Sequence, residues 1–518
     1  MSKQDVAWRP LALVAGIAGL FMLAFSVRYG FHRDELYYLA AGDHLAWGYD
    51  DQPPMVALWA RIATELAGGH IMLLRLPATL AVAGLALLTG LITAELGGGK
   101  GAQILAAVAM VCAPVIVIAG HLLSTTILDI FLWTLLSYLL VRWINTHGDR
   151  FLYLAGPLIG FALLTKTLVL LFLAGIAVGV IVAGPRELLR RKALWISAGI
   201  AVVLWAPNLY WQATHGWPQL GMTGVIAEDA DWGGRVGLIP MQAAIMGGTL
   251  AVIWIAGLWR LLRTRTPFRL FAIAYLTVLL LTLITGGREY YPAGAMPVLV
   301  ASGAIAITAW FSRLPKRAPG TGPQAGPETL SQPGASGAAR GSRGRIWLLV
   351  GAFALSIPVT VVMGVPFFPM NSLGNSPQPA INYDAGEQVG WPELARNVAA
   401  VLARLPEADR AKTTIVAGNY GQAGALYRYG PPLGLPQPYS GHLGFWHWGP
   451  PAEVDGPVII VGRYSAGELL DHCATVELAA RNDNGLGVGN EEQGVPIWLC
   501  QGRKLPWAQL WPRLRHQG

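Results

Sequence analysis

Charged side chains set inside or beside apolar stretches are the residues of this sequence that can do chemistry. Asp34 and Glu35 directly follow an apolar run, in FHRDELYYLAAG. A carboxylate held at bilayer depth costs on the order of 3 kcal/mol, so such a pair needs compensation or a task. The residues after it set Tyr38, Gly42 and Leu45 at helical spacing. The pair therefore falls at a helix N-terminus, where the macrodipole favours negative charge. Two readings stand here: a helix cap at an interface, and an active-site acid that takes a proton.

Asp129 lies within HLLSTTILDIFLW and Lys166 within FALLTKTLVLLF. Neither stays charged facing lipid, so each must face a partner or a wet cavity, as a functional or a structural pair. Arg288 and Glu289, in TGGREYYPAGAMP, precede Tyr290 and Tyr291, and tyrosines at that depth belong to an interfacial aromatic belt. Asp50 and Asp51 stand before Pro53 and Pro54, where acids serve more often as turn formers than as catalysts. Asp34, Glu35 and Asp51 are hard oxygen ligands of the kind that hold magnesium or calcium, which makes a divalent cation a possible cofactor. No His-rich cluster points to zinc. Acids near bases at a lipid interface suit a reaction on an anionic lipid headgroup.

The elements that position these groups are membrane spans. Of 518 residues, 54% are hydrophobic and 13% charged, against roughly 25% charged in soluble domains. Apolar runs at 11–27, 72–95, 102–120, 122–141, 193–211, 237–259, 268–285, 290–310 and 346–365 approach the roughly 20 residues that cross a bilayer. The stretch 151–184 is too long for one crossing and reads as two helices turning near Thr165 and Lys166, which makes about eleven spans. The first has no small-residue cleavage site behind it and reads as retained. With the N-terminus inside, inner loops carry nineteen Lys and Arg and the outer segments before the tail carry seven, in accord with the positive-inside bias. The net charge of +8 is largely this bias, so the pI of about 9.4 does not argue for nucleic acid.

Between the spans lie a large first outer loop at 28–71, too long for a passive connector, and a Gly/Pro/Ala/Ser-rich cytoplasmic linker at 311–345. After the last span, 346–365, residues 366–518 read as an α/β domain outside the membrane. It has a helix over 391–405 and strands at 413–419 and 456–463. Cys112 lies in a span and reads as a core residue, while Cys473 and Cys500 share the tail, where an oxidising compartment permits a disulfide. No fixed-period repeat and no nucleotide-binding glycine fingerprint is present.

Taken together, DE-x-x-Y at Asp34, Glu35 and Tyr38, G-x-x-x-x-Q-P-P ending at Pro54, Asp129, L-T-K at Lys166 and R-x-Y-Y-x-P-A-x-A-x-P from Arg288 resemble glycosyltransferase family 39. That family includes dolichyl-phosphate-mannose protein mannosyltransferases and bacterial aminoarabinose transferases, and it has the GT-C architecture. The resemblance covers residues 1–310, and the tail is similar to the outer domain of bacterial members. It implies an α-helical polytopic protein of the bacterial inner membrane with a periplasmic α/β domain. The implied reaction moves a sugar from a polyprenyl-phosphate donor to a lipid, glycan or protein acceptor, with inversion. By the same resemblance Asp34, with Glu35, is the catalytic acid pair. Lys166 and Arg288 face the phosphate, Tyr38 and Tyr291 wall the sugar or lipid, and Asp51 and Asp129 complete the binding set. Where the aminoarabinose enzymes have Glu-Lys before Pro-Pro, this chain has Asp51-Gln52.

Two other classes remain. A transporter or flippase of a lipid-linked substrate uses Asp129 and Lys166 as a gating pair, and a receptor or scaffold works through the tail. Transporters commonly show inverted repeats, which are absent here. Asp34, Lys166 and Arg288 lining one outer-facing cavity favour the enzyme; a continuous path between the two faces favours transport.

Overall fold

The computed structural model describes residues 4–228, 234–312 and 334–518. Most of the chain before residue 365 is helical, because its apolar runs leave the backbone no water to bond and only the helix satisfies N–H and C=O within one segment. Among the described residues six helices are long and apolar enough to cross a membrane: Trp8–Phe25, Leu76–Glu95, Thr125–Thr146, Lys192–Thr214, Tyr291–Phe311 and Gly344–Gly364. Two bent pairs bring the number to as many as eight. The first pair, Lys100–Val111 with Pro114–His121, turns by 55° where Pro114 opens a new helix. The second, Arg235–Ala244 with Gly248–Arg263, turns by 85° at Gly247, whose φ of 89° is left-handed.

Three shorter apolar helices join them among the described residues: Arg150–Thr165, Val169–Ala183 and Arg269–Thr285. The first two confirm the break expected in the long run at 151–184, because Lys166 is extended at φ −157° and ends the first of them. Helices Ala251–Arg263 and Met296–Ser312 press backbone to backbone. A Cβ on Gly257 or Gly303 would run into the carbonyl of Leu299 or of Ile253. Of the expected linker, residues 313–333 lie outside the described residues, and its last part belongs to helix Gly334–Gly364.

The first loop folds into helices Arg33–Asp43 and Met55–Ala67. The first of these stops short of Leu45, which is 51% exposed rather than part of a buried stripe.

The tail is an α/β unit built on a five-stranded sheet of order β2-β1-β3-β5-β4. Its strands are β1 (Thr414–Ala417), β2 (Pro438–Ser440), β3 (Val458–Val461), β4 (Cys473–Arg481) and β5 (Pro496–Arg503). β1 pairs in parallel with β2 and β3, while β5 runs antiparallel to β3 and β4. The expected helix is present as Trp391–Ala403, and both expected strands are β1 and β3. Cys473 and Cys500 form a disulfide between β4 and β5.

The tail and the first loop are not separate bodies. Leu36, Tyr37 and Leu39 of the loop share one apolar cluster with Trp391, Leu426 and Ile459 of the tail.

Candidate active site

Helix Arg33–Asp43 carries the central acids on its second and third residues. Its N-terminus is closed by a capping box in which the His32 ring accepts from the Asp34 backbone N–H and the Glu35 carboxylate accepts from the His32 N–H. His32 hides this start signal from a search for Ser, Thr, Asp or Asn caps. Consecutive helical residues point about 100° apart, so the two neighbouring acids meet different surroundings.

Glu35 is fully buried. Arg75 Nε donates to its Oε1 at 2.8 Å and Arg75 Nη2 to its Oε2 at 2.7 Å. The backbone N–H of Leu123 adds a third donor at 2.9 Å. The carboxylate is thus consumed by structure. Asp34 is different: its side chain is 37% exposed, and Oδ1 accepts from the Tyr420 hydroxyl of the tail at 2.7 Å.

Asp51 sits across from this pair, where its Oδ1 accepts from the Tyr37 hydroxyl at 3.0 Å. Burial pushes its carboxyl up to about 7, and the negative charges of Asp34 and Asp50 add to the rise. Tyr37 and Tyr38 are held well above the usual phenol range, first by burial and then by carboxylates nearby: Asp51 for Tyr37, Asp34 and Asp51 for Tyr38. Both rings stay neutral. Asp50 is buried and serves as an anchor rather than only a turn former. Its Oδ1 lies 2.6 Å from His447 Nε2, and its Oδ2 lies 3.7 Å from Arg515 of the tail.

Asp34, Glu35 and Asp51 do not converge as metal ligands, because Glu35 gives both oxygens to Arg75 and backbone amides. Among the described residues no three His, Cys, Asp or Glu side chains gather into a metal-binding group.

Lys166, at the break between two helices, points its Nζ at Thr126 Oγ1, 3.1 Å away. It also lies 5.4 Å and 5.7 Å from the ring centroids of Tyr290 and Tyr291. Asp34 and Asp129 both lie within electrostatic reach of Lys166. Asp129, buried in helix Thr125–Thr146, accepts from the Trp133 indole at 2.8 Å. Among the described residues no direct ion pair joins Asp129 to Lys166. Arg288 is partly buried beside Tyr290 and Tyr291, and its charge acts on both rings. The cation pair, Asp129 and Tyr291 are therefore brought into one neighbourhood with Asp34 and Tyr38.

An apolar cavity of about 380 Å³ opens beside it, lined by Trp59, Ile62, Leu80, Phe131, Phe161 and, next to Lys166, Thr165. Sequence reasoning missed Tyr420, Arg75 and His447. Arg75 read as one more outer cation, and the two tail residues meet the loop only across hundreds of positions.

Comparison with known proteins gives the fold and the relatives of the chain. A family model described as dolichyl-phosphate-mannose-protein mannosyltransferase matches residues 51–211. The lipid A galacturonosyltransferase RgtD of Rhizobium johnstonii is 28% identical over 303 residues, which are 55% of this chain and 62% of that protein. The match thus spans less than two thirds of that relative. ArnT from Cupriavidus metallidurans in the apo state superposes with a TM-score of 0.57 at 14% identity, covering 94% of this chain and 96% of ArnT. The same enzyme bound to undecaprenyl phosphate gives 0.58 at 14%, covering 95% and 98%. The resemblance to glycosyltransferase family 39 is borne out: residues 51–211 match the dolichyl-phosphate-mannose-protein mannosyltransferase family model, and the chain shares the fold of ArnT.

Proposed function

We propose that this multi-pass membrane protein transfers a sugar from a polyprenyl-phosphate donor to a hydroxyl-bearing lipid, glycan or protein acceptor, with inversion. The observation that carries the reading is the pairing of one accessible carboxylate, Asp34, with a lysine at electrostatic range beside an apolar cavity. Asp34 takes the acceptor proton as the acceptor oxygen attacks the anomeric carbon. The bond from that carbon to the phosphate oxygen breaks, and its electron pair leaves with the polyprenyl phosphate. Lys166 and Arg288 stabilise the charge that grows on the phosphate, and cations already held in place do so with little reorganisation. The cavity beside Thr165 takes the first isoprene units, and Tyr38 and Tyr291 wall the sugar. Glu35 is a brace in this reading and not a second acid, since Arg75 occupies both its oxygens.

The six long helices, the two bent pairs and the three shorter apolar helices support eleven crossings. With nineteen basic residues inside and seven outside, the site and the tail then lie on the periplasmic face of a bacterial inner membrane. The relatives matched are transferases, which gives the transporter alternative no support.

The reading is tested with the full chain in lipid nanodiscs, offered a panel of synthetic undecaprenyl-phosphate sugars, including galacturonate, with lipid A as first acceptor. Product is followed by mass spectrometry. Asp34→Asn should lower turnover by about 10²- to 10⁴-fold and still bind undecaprenyl phosphate. Turnover by the Asn variant at the wild-type rate overturns the proposal.

A further inference from the structure

The acid at the centre of the site is held by a residue of the tail. Tyr420 opens helix Tyr420–Tyr429, and the start of that helix is fixed from beneath by a buried carboxylate. Glu492, 4% exposed, accepts from Asn419 Nδ2 at 3.0 Å and from Gln422 Nε2 at 2.7 Å. The Asn419 side chain in turn accepts from the Gln422 backbone N–H at 2.8 Å and caps the helix.

Two glycines set how closely this helix meets helix Arg33–Asp43. A Cβ on Gly424 would lie 2.9 Å from the Leu36 carbonyl carbon and 3.0 Å from the Tyr37 nitrogen, and one on Gly421 would lie 3.1 Å from Arg33 Cβ. Larger residues would push the helices apart. At this distance the first residue of one helix meets the first turn of the other.

The Tyr420 ring is clamped on three sides. Arg33 Cζ lies 5.5 Å from its centroid, the Tyr37 ring 5.5 Å and the His442 ring 5.1 Å. Only then does its hydroxyl reach Asp34 Oδ1 at 2.7 Å, a length typical of a charge-assisted bond. The other oxygen, Oδ2, lies 3.8 Å from His32 Nδ1, beyond hydrogen-bond range, on a side chain that is 37% exposed.

We propose that Tyr420 is a positioning residue: its hydroxyl fixes Oδ1 of Asp34 so that Oδ2 faces the acceptor hydroxyl, and docking of the tail thereby becomes a condition of turnover. This rests on the reading of Asp34 as the base. The tail is then part of the site and not an appended module, because the donor to the base and the wedge that sets its distance both lie on its helix.

The test uses the full chain in nanodiscs and the first sugar of the undecaprenyl-phosphate panel that the wild-type chain turns over. Tyr420→Phe keeps the ring and its clamps and removes only the hydroxyl. It should lower kcat 10- to 100-fold and leave KM for the donor, affinity for undecaprenyl phosphate and the melting temperature within about twofold or two degrees of wild type. In the Asp34→Asn background, measured in single turnover, Tyr420→Phe should cause no further loss, since there is no carboxylate left to hold. If Tyr420→Phe leaves kcat within twofold, or slows the Asn background as much as the wild type, the Tyr420 proposal is overturned and the Asp34 reading stands. Wild-type turnover by Asp34→Asn, or no turnover of the whole panel by the wild-type chain, sinks the Asp34 reading first and takes the role of Tyr420 with it.

Discussion

Arg75 and Glu35 face each other as a two-pronged ion pair in which neither side chain is exposed at all. The remaining donors of the guanidinium reach the carbonyls of Ser26 at 2.6 Å and Gly30 at 2.9 Å. The pair therefore ties the end of the first span, the start of helix Arg33–Asp43 and the start of helix Leu76–Glu95 into one joint. Removing one partner of a buried pair leaves an uncompensated charge, which costs about 3–5 kcal/mol. Glu35→Gln should accordingly lose folded protein, seen as a collapsed monodisperse peak and a lower melting temperature, while Asp34→Asn keeps both. A Glu35→Gln protein that is as stable as wild type and inactive would show that Glu35 acts in the chemistry.

Lys166 carries the second prediction. Its Nζ is bonded to a neutral hydroxyl and faces two tyrosine rings, one residue along the chain from Thr165 of the cavity lining, with Asp34 and Asp129 in electrostatic reach but no direct ion pair to either among the described residues. Lys166→Ala should weaken binding of undecaprenyl phosphate about tenfold or more, measured by native mass spectrometry or by displacement of a labelled lipid. Asp129→Asn added to it should not restore the affinity. Full restoration in the double variant would mean that Lys166 only balances Asp129 within the bundle.

These two residues also show what the sequence makes legible. The turn at Lys166 could be read because the apolar run around it exceeds one crossing, and an over-long run must break where its one cation lies. Strands β1 and β3 were readable as β-branched runs between turn residues, and the helix at 391 as an amphipathic stretch. Asp34 and Glu35 could not be told apart, because adjacency in sequence does not say which face of a helix meets Arg75. The tail contacts were hidden for a different reason. Tyr420 and Asp34 are 386 positions apart, His447 and Asp50 are 397, and no local pattern records a pairing over such distances. The bends at Pro114 and Gly247 interrupt two apolar runs that composition alone reads as straight crossings.

The disulfide supplies a third prediction. Cys473 and Cys500 close a loop with a sequence separation of 27, which by loop-closure entropy stabilises the tail by about 3.5 kcal/mol. It joins β4, at the edge of the sheet, to β5, so its loss should loosen that edge first. Cys473→Ala with Cys500→Ala, or reduction of the native chain, should lower the melting temperature and raise hydrogen exchange in residues 473–481 before it affects helix Tyr420–Tyr429. Equal exchange in the oxidised and reduced chains would remove the bond from the list of stabilising contacts.

Asp51 gives a pH dependence whose sign follows from its surroundings. Burial, with Asp34 and Asp50 nearby, lifts its carboxyl to about 7, while its own backbone N–H and the Tyr37 hydroxyl work the other way without winning. In the unfolded chain the same carboxyl titrates near 4. Between those values the folded protein holds a proton that the unfolded chain has released, so stability falls as pH rises from about 4 to about 7 and then levels off. Each unit of difference is worth about 1.4 kcal/mol, which makes the loss on the order of a few kcal/mol across the window. Asp51→Asn takes away the titration and keeps the shape. The melting temperature of the wild type minus that of Asp51→Asn should therefore fall by several degrees between pH 5 and pH 8, with most of the change complete by pH 7.5. A difference that stays level over this range would mean that Asp51 is already ionised at pH 5, and that the Tyr37 hydroxyl and the backbone outweigh its burial.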